Sequence, residues 1–287
     1  MLQVLVNGLS FGGLYLLFAL GLVATYFVLK VPWFAHATLI LLGGYFTYVF
    51  VNLGLNFWIA AIISMVLCPI LAFLFERYFL RPFYRLTHAQ FFVAIFSFYT
   101  IMQYSAYKIW GISNKGVGTF SSAIFSIGDI RITSETIIII SISLVAIVAM
   151  WLFLKKTRSG KAIRAVSQDS DAASVLGISI GSTRGITFLI SGVFAGLAGS
   201  LFIGVHSINP FIADYIIIKI FIVVILSGFG NLLGTLVAAY GLGISESFIA
   251  YYLSSGLKDV ILFFFIIIFL LIRPRGIFEV KGRKERG

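Results

Sequence analysis

The chain has 287 residues, 60% of them hydrophobic and only 11% charged, with mean hydropathy +1.08. Those values exclude an ordinary soluble domain and give an integral membrane protein. The net charge is +11, but the basic residues sit in a few loops beside apolar runs, so it reads as membrane topology and not as a nucleic-acid partner.

Apolar segments fall at 4–29, 31–52, 57–75, 89–110, 136–154, 185–205, 215–227, 235–253 and 258–272. Most have the length a helix needs to cross a hydrocarbon core, and the alternating segments of a transmembrane barrel are missing. The fold class expected is therefore all-α: one polytopic transmembrane helix bundle over 1–287, with eight to ten spans. The run at 215–227 is short for a crossing and is bracketed by Asn209-Pro210 and by Gly228, Phe229, Gly230 and Asn231, so two readings stay open: a full crossing, which makes the number of spans odd, or a half-helix or re-entrant piece. The N-terminal run has no basic leader and continues too far for an obvious signal peptide, so it reads as the first span.

Sixteen of the 21 Lys and Arg residues lie at Lys30, at Arg77, Arg81 and Arg85, in the loop 155–184, and in the tail 273–287. The positive-inside rule assigns all four places to the cytoplasm. The loops 111–135 and 206–214 then read as exterior, which implies an exterior N-terminus and a cytoplasmic C-terminus. Glycines at four-residue spacing, Gly8 and Gly12, Gly192 and Gly196, Gly230 and Gly234, suit close helix packing.

No phosphate-binding loop, H-E-x-x-H or G-x-S-x-G occurs, so no catalytic residue, metal site or cofactor is expected. Cys68 is the only cysteine, which removes internal disulfides. His36, His88 and His206 are isolated in sequence and read as structural. Lys219 and Glu246 stand inside apolar runs, where a charge costs a few kcal/mol and faces the bundle interior or a wet cavity. Two readings stay open for them: a packing pair, or the polar lining of a pathway. Lys108, Asp214, Lys258 and Asp259 lie near segment ends, within snorkelling reach. Asn7, Gln103 and Asn209 are uncharged groups, cheap to bury if bonded and usable as solute contacts, and the structural reading is preferred for them.

The loop 155–184 is the longest polar interruption that reads as ordered. Ala162, Val166, Ala173 and Leu176 recur at roughly helical spacing, Arg164, Gln168, Asp169 and Asp171 lie between them, and Gly177 stands as a stop. This predicts a short amphipathic helix over 162–176. Its small residues favour docking in a protein groove over burial in a lipid interface. The loop therefore reads as the place where a transport pathway is coupled to a partner.

The segment TRSGKAIRAVSQDSDAASVLGIS, with GITFLISGVFAGLAGSLF after it, resembles the coupling segment and next span of the permeases of branched-chain amino acid ATP-binding-cassette importers. The likeness extends to VNGLSFGGLYLLFALGL, to FAH at Phe34 to His36, to Glu76, Arg77, Arg81 and Pro82, to Gln103-Tyr104, to INPFIADYIIIKIFIVVILSGFGNLLGTLVAAYGLGISES and to RPRGIFE. It implies a bacterial inner-membrane subunit without catalytic residues. Its partners would be cytoplasmic ATPase subunits, a second homologous permease as hetero- or homodimer, a periplasmic solute-binding protein and the lipid bilayer. Gly160, Arg164, Ala165, Asp169, Ala173, Leu176 and Gly177 match the coupling loop, and Gln103, Lys219 and Glu246 are the candidate path residues. Trp33 before FAH, Ala37-Thr38 after it, and Leu233 within GNLLGT depart from the usual pattern. Amino acid, urea and short-chain amide permeases are related, so the solute stays open. The rival reading is an ion-gradient-driven secondary transporter with Lys219 and Glu246 as its coupling pair.

Overall fold

The computed structural model describes residues 1–85, 87–121, 123–127, 130–228, 230–252 and 258–273. The tail beyond Arg273, Phe229, and the side chains of Arg85, His88, Lys258 and Asp259 lie outside the described residues. Eleven α-helices are described: α1 Leu2–Leu29, α2 Ala35–Asn52, α3 Phe57–Phe75, α4 His88–Trp110, α5 Ser134–Lys156, α6 Arg158–Gln168, α7 Ser170–Val175, α8 Ile180–Val205, α9 Ile212–Ser227, α10 Leu232–Tyr252 and α11 Lys258–Ile272. All nine apolar segments are helical. Capping side chains mark several starts: Asn56 accepts from the Trp58 amide at 2.9 Å, Thr157 from Gly160 at 2.9 Å, and Thr87 forms a capping box with Gln90.

Six of these segments are both long and apolar enough to cross a membrane: 2–29, 35–52, 57–84, 134–156, 180–205 and 232–252. The third counts as one helix because α3 continues through a π turn, Glu76–Leu80, and a 3-10 turn, Arg81–Arg85. Helix α4 is long but less apolar, and α9 and α11 have 16 and 15 residues, or about 24 and 22 Å of rise.

Helix α1 is buried on every side from Gly12 to Thr25, with α5, α8, α9 and α10 packed around it. Small residues set these distances, since lipid gives helices no hydrophobic reason to associate. A Cβ at Gly8 would stand 2.7 Å from the Ile244 Cα, and one at Gly12 would stand 2.7 Å from the Tyr240 Cα. Gly192 abuts Pro69 of α3, and a Cβ at Gly196 would meet the Ser64 carbonyl oxygen at 2.7 Å. Hydroxyls join the same helices: Thr47 to Ser200 at 2.7 Å, and Ser64 to the Gly43 carbonyl at 2.9 Å. The third glycine pair behaves differently, because Gly230 stands in the turn before α10 with φ +85° and so does not share a helix face with Gly234.

The strictly all-α expectation needs one correction. Ile124–Ile127 and Ile130–Thr133 form an antiparallel hairpin, β1 and β2, pairing Ile124 with Thr133 and Phe125 with Ile132. Two β-branched and aromatic runs flank Gly128-Asp129 in the sequence, which is a hairpin pattern. Gln3 of α1 fastens it, accepting from the Arg131 amide at 2.9 Å and donating to the Arg131 carbonyl at 3.0 Å.

Charge and contacts separate the two ends of the bundle. One end gathers Lys30, residues 76–85 and the segment 155–184: Lys30 reaches Ser167, and Arg81 lies beside Gly181. The other gathers the start of α1, strand β2 at Arg131 and residues 206–214, with Lys115 and Ile208 exchanging 2.8 Å backbone hydrogen bonds. Helix α9 begins at this second end, and Gly230, just beyond its close, packs against Phe27 near the end of α1.

Replacing Gly196 by Ala, against the α3 backbone, is expected to lower the melting temperature of the detergent-purified protein, with an overpacking cost of about 1–3 kcal/mol. Gly241→Ala, where a Cβ would meet nothing within 4 Å, should leave it unchanged or raise it. Equal losses in both variants would contradict the close-contact explanation.

Candidate functional site: a buried ion pair and a coupling segment

Lys219 and Glu246 meet at the middle of the bundle. Lys219 Nζ donates to Glu246 Oε2 at 2.8 Å, and each residue is 1% exposed. This is the only ion pair among the described residues. Two tyrosines complete it. The Tyr15 hydroxyl donates to Glu246 Oε2 at 2.6 Å and lies 2.8 Å from the Tyr215 hydroxyl, which donates to Oε1 at 3.3 Å. The Lys219 ammonium also lies 4.9 Å from the Tyr215 ring centroid and 5.6 Å from that of Tyr15. Each residue stands near the midpoint of α1, α9 or α10, or a turn away, so three helices converge on one charged point.

The sequence marks the charges but leaves the tyrosines unmarked among 13. The signal available is spacing: Tyr215 precedes Lys219 by one turn of α9, so both side chains share a face. Lys219, Glu246 and Tyr15 are buried among the helices, and Tyr215 is half-buried at their edge.

Gln103 is not part of it. The residue is buried on α4, near Tyr99, whose hydroxyl donates to Asp214 at the start of α9. Asn209 pairs with Asn114 at 3.0 Å in the loops, and Asn7 accepts from Gln3 at 3.1 Å, so both have local partners. His36 is a fully buried core residue: Nε2 lies 3.0 Å from the Phe18 carbonyl oxygen and Nδ1 3.0 Å from Ser191 Oγ, tying α2 to α1 and α8. The neighbouring Trp33 fills the core against Phe188, with ring centroids 4.4 Å apart.

The loop 155–184 corrects the expected single helix over 162–176. It forms α6 and α7, broken at Asp169, whose extended backbone (φ −151°) cannot continue a helix and whose carboxylate caps α7 by accepting from the Asp171 and Ala172 amides, each at 3.0 Å. The inward face is Gly160, Ile163, Val166 and Ala173, with Ala162 and Ala165 half-buried. Gly160 has no room for a Cβ beside the Phe153 carbonyl and the Leu154 Cα, so the turn from α5 into α6 is tight. Leu176 does not join that face. Val175 and Leu176 are 87% and 80% exposed at the end of α7, and Gly177 closes the helix at φ +82°. Arg164 is exposed on α6.

Lys30 joins the two parts of the site. It ends α1 in the left-handed region (φ 57°), and its ammonium donates to the Ser167 carbonyl and to Ser167 Oγ, the latter at 3.1 Å. That carbonyl belongs to the last turn of α6, where acceptors lack helical partners and the dipole is negative. Lys30 therefore caps α6 from α1, and α1 runs unbroken from that cap to Tyr15.

Removing one member of the buried pair, as in Lys219→Met or Glu246→Gln, is expected to cost about 3–5 kcal/mol, because the partner charge is left alone in a dry interior. The double variant should recover much of that loss in folded yield and melting temperature. Strictly additive losses would mean that the residues are not coupled.

The family model for the branched-chain amino acid transport system permease component matches residues 4–271. The high-affinity branched-chain amino acid transport system permease protein LivH of Escherichia coli (strain K12) is 28% identical, over 99% of this chain and 96% of its own. BraD of Pseudomonas aeruginosa, of the same description, is 28% identical with the same coverage. A probable LivH of Methanocaldococcus jannaschii is 29% identical over 98% of this chain and 94% of its own. No solved structure matches. These findings remove the ion-gradient-driven reading. The chain belongs to the permease-component family of branched-chain amino acid transport systems: it is a membrane permease subunit of an ATP-binding-cassette importer, and not itself an enzyme.

Proposed function

We propose that this permease forms part of the translocation path for a branched-chain amino acid or a related small polar solute, and that partner ATPases drive it through the segment 155–184. The observation that carries the coupling role is the apolar tip Val175-Leu176, exposed at the end of α7 while the opposite face of the segment is anchored in the bundle. An exposed apolar pair on a segment that also exposes Arg164, Asp169 and Asp171 suits a protein groove. Gly160, Ala165, Ala173 and Gly177 shape the segment, and Arg164, Asp169 and Leu176 present it.

The partners in this reading are cytoplasmic ATPase subunits, a second homologous permease and a periplasmic solute-binding protein. The protein lies in the inner membrane with its N-terminus exterior and C-terminus cytoplasmic. Gathering of Lys30, Arg77, Arg81 and the loop 155–184 at one end supports that orientation. With α4, α9 and α11 counted as crossings, the chain has nine spans, within the eight to ten expected and odd as the orientation requires. Lys219, Glu246 and Gln103 are polar groups that border the path when α9 shifts against α1 and α10. Transport requires the ATPases to bind one arrangement of α6 and α7 more tightly than the other.

Arg164→Glu is expected to weaken ATPase co-purification by about tenfold, the scale of one important interface contact. Membrane insertion and yield should stay at the wild-type level, and unchanged co-purification would contradict docking at α6. Lys30→Met should keep the ATPases bound yet lower solute uptake per ATP hydrolysed by about fivefold or more, with Lys30→Arg close to wild type. Wild-type stoichiometry in Lys30→Met would exclude the α1 relay.

A further inference from the structure

Outside the ion-pair site, a cleft of about 300 Å³ opens between the end of α3 and the start of α8. Its polar lining is Glu76, Arg77 and Arg81 on the α3 side and Gly181 and Ser182 in the first turn of α8. Its floor is apolar: Phe73, Ile186 and Leu189, one to two turns deeper on the same two helices. A Cβ at Gly181 would stand 3.1 Å from Arg81 Nη2, so the guanidinium lies across the start of α8, where the positive end of the helix dipole adds to its charge.

The charges around this cleft do not balance. Arg77, Arg81 and Arg184 surround a single acid, Glu76, which is buried and whose Oε1 accepts from the Tyr84 hydroxyl at 3.3 Å. The Arg184 guanidinium stacks over the Tyr84 ring at 3.9 Å, and its buried Nε has no hydrogen-bond partner. None of the three arginines forms an ion pair among the described residues. Of the charged residues that line the cleft, Arg77 and Arg81 outweigh Glu76 by one positive charge, and Arg184 beside it on Tyr84 adds a second, at the end of membrane-length helices.

We infer that this cleft binds an anionic phospholipid, with the phosphate at Arg77 and Arg81 and the upper part of one acyl chain against Phe73, Ile186 and Leu189. Basic pockets between helices at a membrane surface recognise such headgroups. A free anion would use the rim but leave the floor unfilled, and an apolar chain alone would leave the arginines without a counter-charge. The inference depends on this end lying at a bilayer surface but not on the ATPase partnership, so its failure and that of the proposed function read out separately.

The test is native mass spectrometry of the full chain in detergent, titrated with phosphatidylglycerol, phosphatidylcholine or inorganic phosphate. The wild type is expected to retain one phosphatidylglycerol in preference to phosphatidylcholine. Apparent affinity should fall by about 30-fold in Arg77→Gln/Arg81→Gln, about fivefold for each arginine. Lys155→Gln/Lys156→Gln removes the same charge at the same end of the bundle outside the cleft and should bind as the wild type does. Ile186→Trp, which fills the floor, should also lose the lipid, and together with the wild-type lipid comparison it decides the matter if the arginine variant fails to fold. Equal retention of phosphatidylcholine, undiminished binding in both cleft variants, or displacement by inorganic phosphate would overturn the inference. So would a cleft occupied by an acidic segment of a co-purified protein while phosphatidylglycerol stays unbound.

Discussion

Two opposite charges held in the middle of a membrane bundle constrain everything around them. Neither Lys219 nor Glu246 tolerates hydrocarbon alone, so α9 and α10 must meet at one register, and the Tyr15 and Tyr215 hydroxyls fill acceptor sites that lipid cannot serve. Tyr15 brings α1 into the same point. That three-helix junction is possible only because Gly8 and Gly12 let the α10 backbone lie directly against α1. Polar pairing and glycine packing are thus one device: the glycines bring the helices close, and the charges fix where along their length they meet.

A rigid α1 then carries that junction to the bundle's end. The helix is buried on all sides from Gly12 to Thr25 and ends at Lys30, whose ammonium caps α6. Gly160 fixes the turn from α5, and Asp169 redirects the chain into α7, so the exposed tip Val175-Leu176 is mounted on a braced platform. A push on such a platform has a short mechanical route to the ion pair. That route is a connection through packed helices and one capped terminus.

Much of this was legible in the sequence, for identifiable reasons. Every apolar run became a helix, since length and hydropathy dominate where backbone groups have no water to bond. Lys219 and Glu246 stood out because a charge inside an apolar run needs a reason. A packing pair is one of the two readings the sequence offers for them, and the 2.8 Å ion pair matches it. Of the two tyrosines, only Tyr215 carries a signal, its one-turn spacing from Lys219, because helix rotation is not written in hydropathy. The β1–β2 hairpin is encoded only by Gly128-Asp129 between short β-branched runs, a far weaker pattern than the long apolar runs of the spans. In the loop 155–184, Gly177 was read correctly as a stop. Helical spacing does not show that Asp169 ends one helix and caps the next, nor that Val166 and Ala173 pack into the bundle while Leu176 alone of that apolar set stays exposed for a partner.

The most direct measurement is site-specific photo-crosslinking in intact membranes from Leu176, compared with Leu53, an equally exposed leucine beyond the far end of α2. Coupling through the segment 155–184 predicts an adduct between Leu176 and an ATPase subunit whose yield changes when ATP turnover is blocked, and none from Leu53. Adducts from Leu176 to lipid alone, or an ATPase adduct from Leu53, would contradict it.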